Sequence, residues 1–210
     1  MMILMLFLTV ASACVFTEFI GYWLHFLLHD EKIPFLSRNH MIHHLVVYAP
    51  NKPMRPSREY LGSTYDRASL LGIGLEWLLP VGLLLPLVLL ALRRAGLAPW
   101  LQAVFIATSV GWGFLMFNYM HDAMHENGFW MSRSRFWRNW FLRARRRHDV
   151  HHMDLDESGR MTRNYGICFF VFDRLFNTLT DQHRVFNQAG LSAAHKRYAY
   201  IFPNGPPPAF

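Results

Sequence analysis

Ten of the twelve histidines fall into four tight clusters: His25/His29, His40/His43/His44, His121/His125 and His148/His151/His152. An H-x-x-x-H pair followed by an H-x-x-H-H group occurs twice. Residues three and four apart on a helix share a face, so each cluster can aim two or three imidazoles at one spot. Imidazole suits iron, zinc, copper and nickel. Ten ring nitrogens exceed what one ion can hold, so the spacing predicts a centre with more than one ion. Structural zinc often includes sulfur, yet the two cysteines, Cys14 and Cys168, lack metal-site spacing and read as ordinary apolar side chains. An imidazole-rich site open to substrate suits iron that must react with dioxygen. Two ions can supply two electrons together, with further reducing equivalents arriving from a donor. The expected outcome is O–O cleavage and attack on an unactivated C–H bond. Three other readings fit the same residues: a polar network or pH-sensing patch, a membrane metal transporter or storage protein, and an inactive scaffold that keeps its site for stability.

The elements that must position these clusters are apolar. Hydrophobic residues make up 52% of the 210 and charged residues 17%, below the usual quarter. This composition fits one integral-membrane domain over 1–210, and the expected class is all-α. About three transmembrane helices are expected, near 2–23, 70–92 and 100–119. The histidine-rich cap then takes 25–68 and 121–180. The first apolar stretch has no basic leader and continues past Glu18 through Trp23 and Phe26, so it reads as a retained helix. A hairpin of the second and third spans returns the chain to its starting side, which lets both halves of the pattern share one site. Gly111 and Gly113 would permit close helix contact. Pro34 is expected to end the first helix.

The formal charge is +7. It lies beside long apolar runs, so anionic lipid headgroups rather than nucleic acid are the expected partner. Six Lys and Arg lie in 30–68, two in the turn Arg93-Arg94 and thirteen beyond residue 120. This bias puts the histidine face in the cytoplasm. Phe129 to Arg147 reads as an amphipathic interfacial helix, its Arg143, Arg145, Arg146 and Arg147 anchoring on lipid or docking an acidic electron donor. Tyr165 to Leu179 should be a helix against the site or the interface, and the tail from Thr180 should be loose. Glu18, seven residues before His25, either accepts a ring N–H from a ligand histidine or simply sits near a headgroup. Glu76 could do the same or line a substrate channel. Asp122, Glu126, Asp149 and Asp173 are further candidates to hold ligand histidines, with Arg174 as a partner for Asp173. His183 could fold back as a ligand, and His195 has less to recommend it.

The four clusters, with Asn164-Tyr165-Gly166 leading to Phe172-Asp173-Arg174-Leu175-Phe176-Asn177-Thr178, resemble the fatty acid hydroxylase/sterol desaturase superfamily over about residues 18–180. In that string Phe172 stands for a Trp and Asn177 for a Gly. The resemblance implies a non-haem centre of two iron ions, with zinc possible in a purified sample, held by the ten histidines. Dioxygen is the implied co-substrate. It also implies an apolar membrane lipid, a sterol or fatty acyl chain, as the substrate to be hydroxylated or desaturated. The implied donor is cytochrome b5-like, ferredoxin-like or a reductase. His121-Asp122-x-x-His125 also resembles the carotenoid hydroxylases, with spacing one residue shorter. Relatives often have four spans, against three here.

Overall fold

The computed structural model describes residues 1–55, 69–70, 73–182 and 185–202, with the backbone alone for 69–70 and 73–79. The side chain of Glu76, together with Arg58, Arg67, His183 and Pro206-Pro207-Pro208, lies outside the described residues. Among the described residues the regular structure is helical, apart from one short antiparallel ladder pairing Ser69–Leu70 with Ile73–Gly74 and an isolated bridge between Leu155 and Met161.

Helix α1, Met2–Leu28, has 27 residues, or about 40 Å at the usual rise. It carries apolar side chains around most of its circumference, with Ile3 80% and Phe7 66% exposed. Only lipid or another apolar surface covers such a helix favourably. A second 27-residue helix runs Pro99–His125 in three parts: α4 (Pro99–Phe114), a π-helical stretch (Leu115–Met120) and α5 (His121–His125). Among the described residues, these two are long and apolar enough to cross a membrane. Between them lies α3, Leu75–Arg94, with Pro80 and Pro86 inside it; the second expected span, near 70–92, begins at residue 75 rather than 70.

Helices α1 and α4 pack side by side. The expected close approach at Gly111 and Gly113 is not where it occurs. A Cβ on Gly111 would meet nothing within 4 Å, and one on Gly113 would make ordinary contact with Thr17 at 3.5 Å. The tight point is Gly21, where a Cβ would lie 1.9 Å from the Phe117 ring. Only a missing side chain admits that ring.

Helix α1 stops before Pro34 is reached. Asp30 Oδ1 accepts from Lys32 N at 2.9 Å, a local turn that ends the helical path. Pro34 instead starts α2 (Pro34–Ile42) at its first position, where the missing N–H costs nothing. A π-helical turn, His43–Val47, continues α2. The expected interfacial helix at 129–147 is divided. A 3-10 turn covers Trp130–Arg133, and Ser134 Oγ accepts from Phe136 N and Trp137 N. Helix α6 then runs Arg138–Met153. Phe141, Ala144, His148, Val150, His151 and His152 are buried, while Arg143 and Arg146 stay exposed. One helix therefore carries both the basic face and the second H-x-x-H-H group.

Within the expected 165–179 helix, only α7 (Val171–Leu175) is α-helical. The tail is ordered over 185–202, against expectation. Helix α8 (Gln188–Arg197) and a 3-10 turn (Ala199–Ile201) pack on α2. Leu191, Ala194, Tyr198 and Ile201 bury themselves against Met41 and Leu45. Its apolar residues are spread too thinly to show as a run, but helical spacing gathers them on one side.

Candidate metal centre

The ten clustered histidines meet in one place. They do so as two groups of five: His25, His29, His40, His44 and His151 form the first, and His43, His121, His125, His148 and His152 the second. Within each group, the candidate ligand atoms lie within 4.8 Å of one another. Neither H-x-x-H-H cluster aims at a single spot, as the spacing alone suggested. Each is split. His40 and His44 join the first group and His43 crosses to the second; His148 and His152 join the second and His151 crosses to the first. The physical reason is the helical step. At about 100° per residue, positions i and i+4 diverge by about 40°, whereas i+3 and i+4 lie about 100° apart. The first cluster adds a π turn at His43, a distortion that often marks functional sites. The arrangement is quasi-symmetric: each group takes one pair from a long apolar helix, the outer two imidazoles of one triplet and the middle one of the other.

The two groups share a wall. His44 and His152 stack with ring centroids 4.0 Å apart. In the first group, Nε2 atoms approach at 3.0 Å (His29 to His40), 3.0 Å (His40 to His44) and 3.2 Å (His29 to His151). In the second, the separations are 2.9 Å (His125 to His148) and 3.2 Å (His148 to His152).

The outer nitrogens decide what those short contacts mean. His25 Nδ1 donates to Tyr165 O at 2.5 Å and His151 Nδ1 to Arg163 O at 2.6 Å. His125 Nδ1 donates to Met54 O at 3.1 Å and His152 Nδ1 to Tyr48 O at 3.4 Å. A carbonyl only accepts, so in each neutral ring the proton sits on Nδ1 and Nε2 presents a bare lone pair. His125 and His152 both aim such lone pairs at His148, which can donate to only one. His25 Nε2 and His43 Nε2 are buried without a partner. A cation between them would relieve this convergence, and the protein disfavours a proton in that role. Burial, and then the neighbouring imidazoles, hold His29, His40, His43, His44, His148 and His152 well below the usual imidazole range. Burial lowers His151 to about 4, against the pull of its carbonyl partner. A metal ion fits: two ligand nitrogens about 2.1 Å from one ion at a right angle stand about 3.0 Å apart.

One consequence concerns acid. The native interior excludes protons that an unfolded chain takes up below about pH 6.5. Stability contributed by these neutral rings is present above that value and is lost as pH falls, with the His151 share exhausted near 4. Chelator-treated protein is therefore expected to melt at a lower temperature at pH 5 than at pH 7.5. A melting temperature unchanged between the two would contradict this.

Around the imidazoles stands a layer that holds them. Tyr48 stacks on His125, 3.7 Å between centroids and 15° between planes. Tyr165 lies edge-on to His25, His29 and His151. Asp173 does not touch a histidine, contrary to expectation. Its carboxylate accepts from Tyr165 N and Gly166 N, both at 2.7 Å, and from Thr178 Oγ1 at 2.8 Å. It thereby fixes the peptide whose carbonyl orients His25. Burial pushes the Asp173 carboxyl up, and these donors oppose the push. Arg174, its expected partner, is exposed. Glu18 takes a different partner too, accepting from Trp112 Nε1 at 2.8 Å. Asp149 pairs with Arg55. Asp122 is exposed, 3.6 Å from His121 Nδ1. His195 packs on Phe202, outside both groups. Asn177 has φ 58°, the left-handed region where Gly is natural and Asn tolerated, which explains how Asn serves there.

Sequence reasoning missed Tyr48 and the carbonyl acceptors at Met54 and Arg163. Tyr48 follows His44 by four residues, a spacing that offered a signal; backbone carbonyls leave none in residue type. A cleft of about 590 Å³ runs along α1, lined by Ala11, Ser12, Val15, Phe16, Phe19 and Phe172.

The family model described as fatty acid hydroxylase matches residues 10–178. That stretch contains all ten clustered imidazoles, Tyr48, Tyr165 and Asp173, and it ends before α8 begins. No curated protein and no solved structure matches the chain.

Proposed function

Because the chain belongs to the fatty acid hydroxylase family, we propose that it is an oxygen-dependent di-iron enzyme that hydroxylates or desaturates C–H bonds of a membrane lipid. The observation that carries this reading is the pair of adjacent five-imidazole groups at the ends of two helices apolar enough to cross a bilayer. His25, His29, His40, His44 and His151 would hold one iron; His43, His121, His125, His148 and His152 would hold the other. Two irons, when bound, supply the redox chemistry that activates dioxygen, with an external donor such as a cytochrome b5-like or ferredoxin-like protein renewing their electrons.

The chain's own residues do the rest. The carbonyls of Tyr165, Arg163, Met54 and Tyr48 fix four ring tautomers and orientations, which also raises ligand basicity. Burial of nine of the ten imidazoles, all but His121, excludes bulk water and protects reactive species from it. The apolar faces of α1 and α4 deliver an apolar substrate sideways from the bilayer, and the cleft beside Phe16, Phe19 and Phe172 suits a hydrocarbon chain. Helix α3 would be a third crossing, placing the histidine face on the cytoplasmic side by its Lys and Arg bias.

The test is lipid extraction from cells with and without the protein, profiled by mass under air and under nitrogen. Lipids with added oxygen or lost hydrogen, made only in air and only with the protein, are expected. Identical lipid profiles, from cells whose purified protein carries iron, would refute the oxygenase reading.

A further inference from the structure

The matched family stretch ends at residue 178, yet the chain continues into an ordered segment that reaches the first imidazole group. Tyr198 is buried, and its hydroxyl donates to the backbone carbonyl of His29 at 2.7 Å. That carbonyl sits at the carboxyl end of α1, where the last turn leaves acceptors without helical partners. Around it, Arg197 pairs with Glu31 at 2.5 Å, and Arg160 reaches the same carboxylate at 3.3 Å. Tyr200 Oη and Ser37 Oγ lie 2.6 Å apart. All three contacts bind the corner between α1 and α2, the corner that sets His29 against His40.

The segment is seated backbone to backbone. Gly159, at φ +77°, would place a Cβ 2.2 Å from Ala194 N, and Gly190 would place one 2.6 Å from Asp156 O. Asn187 Oδ1 accepts from Gly190 N at 2.9 Å and starts α8. On the apolar side, Leu191, Ala194 and Tyr198 press on Met41 and Leu45, next in sequence to His40 and His44. Three of the five imidazoles of the first group thus rest on this segment. In the second group, His43 alone comes from the braced helix; the others come from α5 and α6.

We infer that residues 187–202 are a brace chiefly for the first metal site, and that Tyr198 is a positioning residue acting through His29. The inference rests on the metal-ligand reading above. It goes beyond that reading by making the two sites separately tunable: the hydroxyl of Tyr198 sets how firmly one ion is held and leaves the other unaffected.

The experiment follows release of zinc to a chelator from full-length, zinc-loaded protein in detergent. Wild type should release two ions per chain. Tyr198→Phe keeps the ring, and with it the packing, and removes only the hydroxyl. It is expected to speed release of one ion about tenfold, the effect of losing a supporting partner, with the other changed less than twofold. Tyr200→Phe loses the Ser37 contact at the same corner but no bond to a ligand residue, so it should speed release of the same ion by less than Tyr198→Phe and leave the other unchanged. His43→Ala weakens the second site, so the accelerated ion in Tyr198→Phe/His43→Ala identifies the first. Equal acceleration of both ions, or of neither, would overturn the brace. A wild-type protein that binds no zinc or iron at all would instead overturn the metal reading on which it stands.

Discussion

Alanine at His43 is expected to disable the ion held mainly by His121, His125, His148 and His152, although His43 belongs to the other half of the sequence. Likewise His151→Ala should strike the site built on His25, His29, His40 and His44. Metal content should fall from about two ions per chain towards one in either variant. Oxygen-dependent turnover should drop at least about 100-fold, the upper end of the loss seen when only a supporting partner is removed. His44→Ala, His125→Ala and His152→Ala should be as damaging, with membrane insertion retained, because insertion depends on the apolar helices. The informative comparison is the double variant His43→Ala/His44→Ala. Adjacent in sequence, these two residues serve different groups, so the pair should lose both ions. Retention of a full site by that protein would show that the division into two groups is wrong.

A second large effect is expected at Asp173, which bonds to no histidine. Asp173→Ala leaves Tyr165 N, Gly166 N and the Thr178 hydroxyl without their buried acceptor. Each stranded donor costs about 1–3 kcal/mol, so the three together cost about 3–9 kcal/mol, among the most damaging single changes. Asp173→Asn restores the shape but turns one acceptor into a donor, so it should recover part of the loss. The measurement is thermal unfolding of purified protein, followed by size-exclusion fluorescence. Because Tyr165 also accepts from His25, metal at the first site should leave faster as well. An Asp173→Ala protein as stable as wild type would mean that the three donors find other acceptors.

The sequence showed which imidazoles would gather more clearly than how they divide. Imidazoles at i and i+4 announce themselves, since helical spacing alone puts His25 with His29 and His121 with His125. Which group His43 or His151 enters depends on a rotation of about 100° between neighbouring positions and on where the opposing helix lies, and only the packed structure supplies that. Asp173 was picked out by its string but assigned the wrong partner, because carboxylate and imidazole are more visible in a sequence than peptide N–H groups. Glu18 looked close to His25 by helical turn, but the indole of Trp112 on the neighbouring helix lies closer. The same blindness to the neighbouring helix picked out Gly111 and Gly113 and passed over Gly21, where the tight contact lies. The tail was read as loose because its few apolar residues, Leu191, Ala194, Tyr198 and Ile201, show their purpose only against Met41 and Leu45.

The exchange of one imidazole between the two halves also fixes an order of events during synthesis. When the chain has been made as far as His125, the first group holds four of its five rings and the second holds three. Neither can close until α6 has left the ribosome and swung across from more than a hundred residues away. Contacts of such long sequence separation form late. If the two groups hold metal as proposed, the apolar helices would already be in place when α6 arrives, and metal uptake would wait for α6 to join.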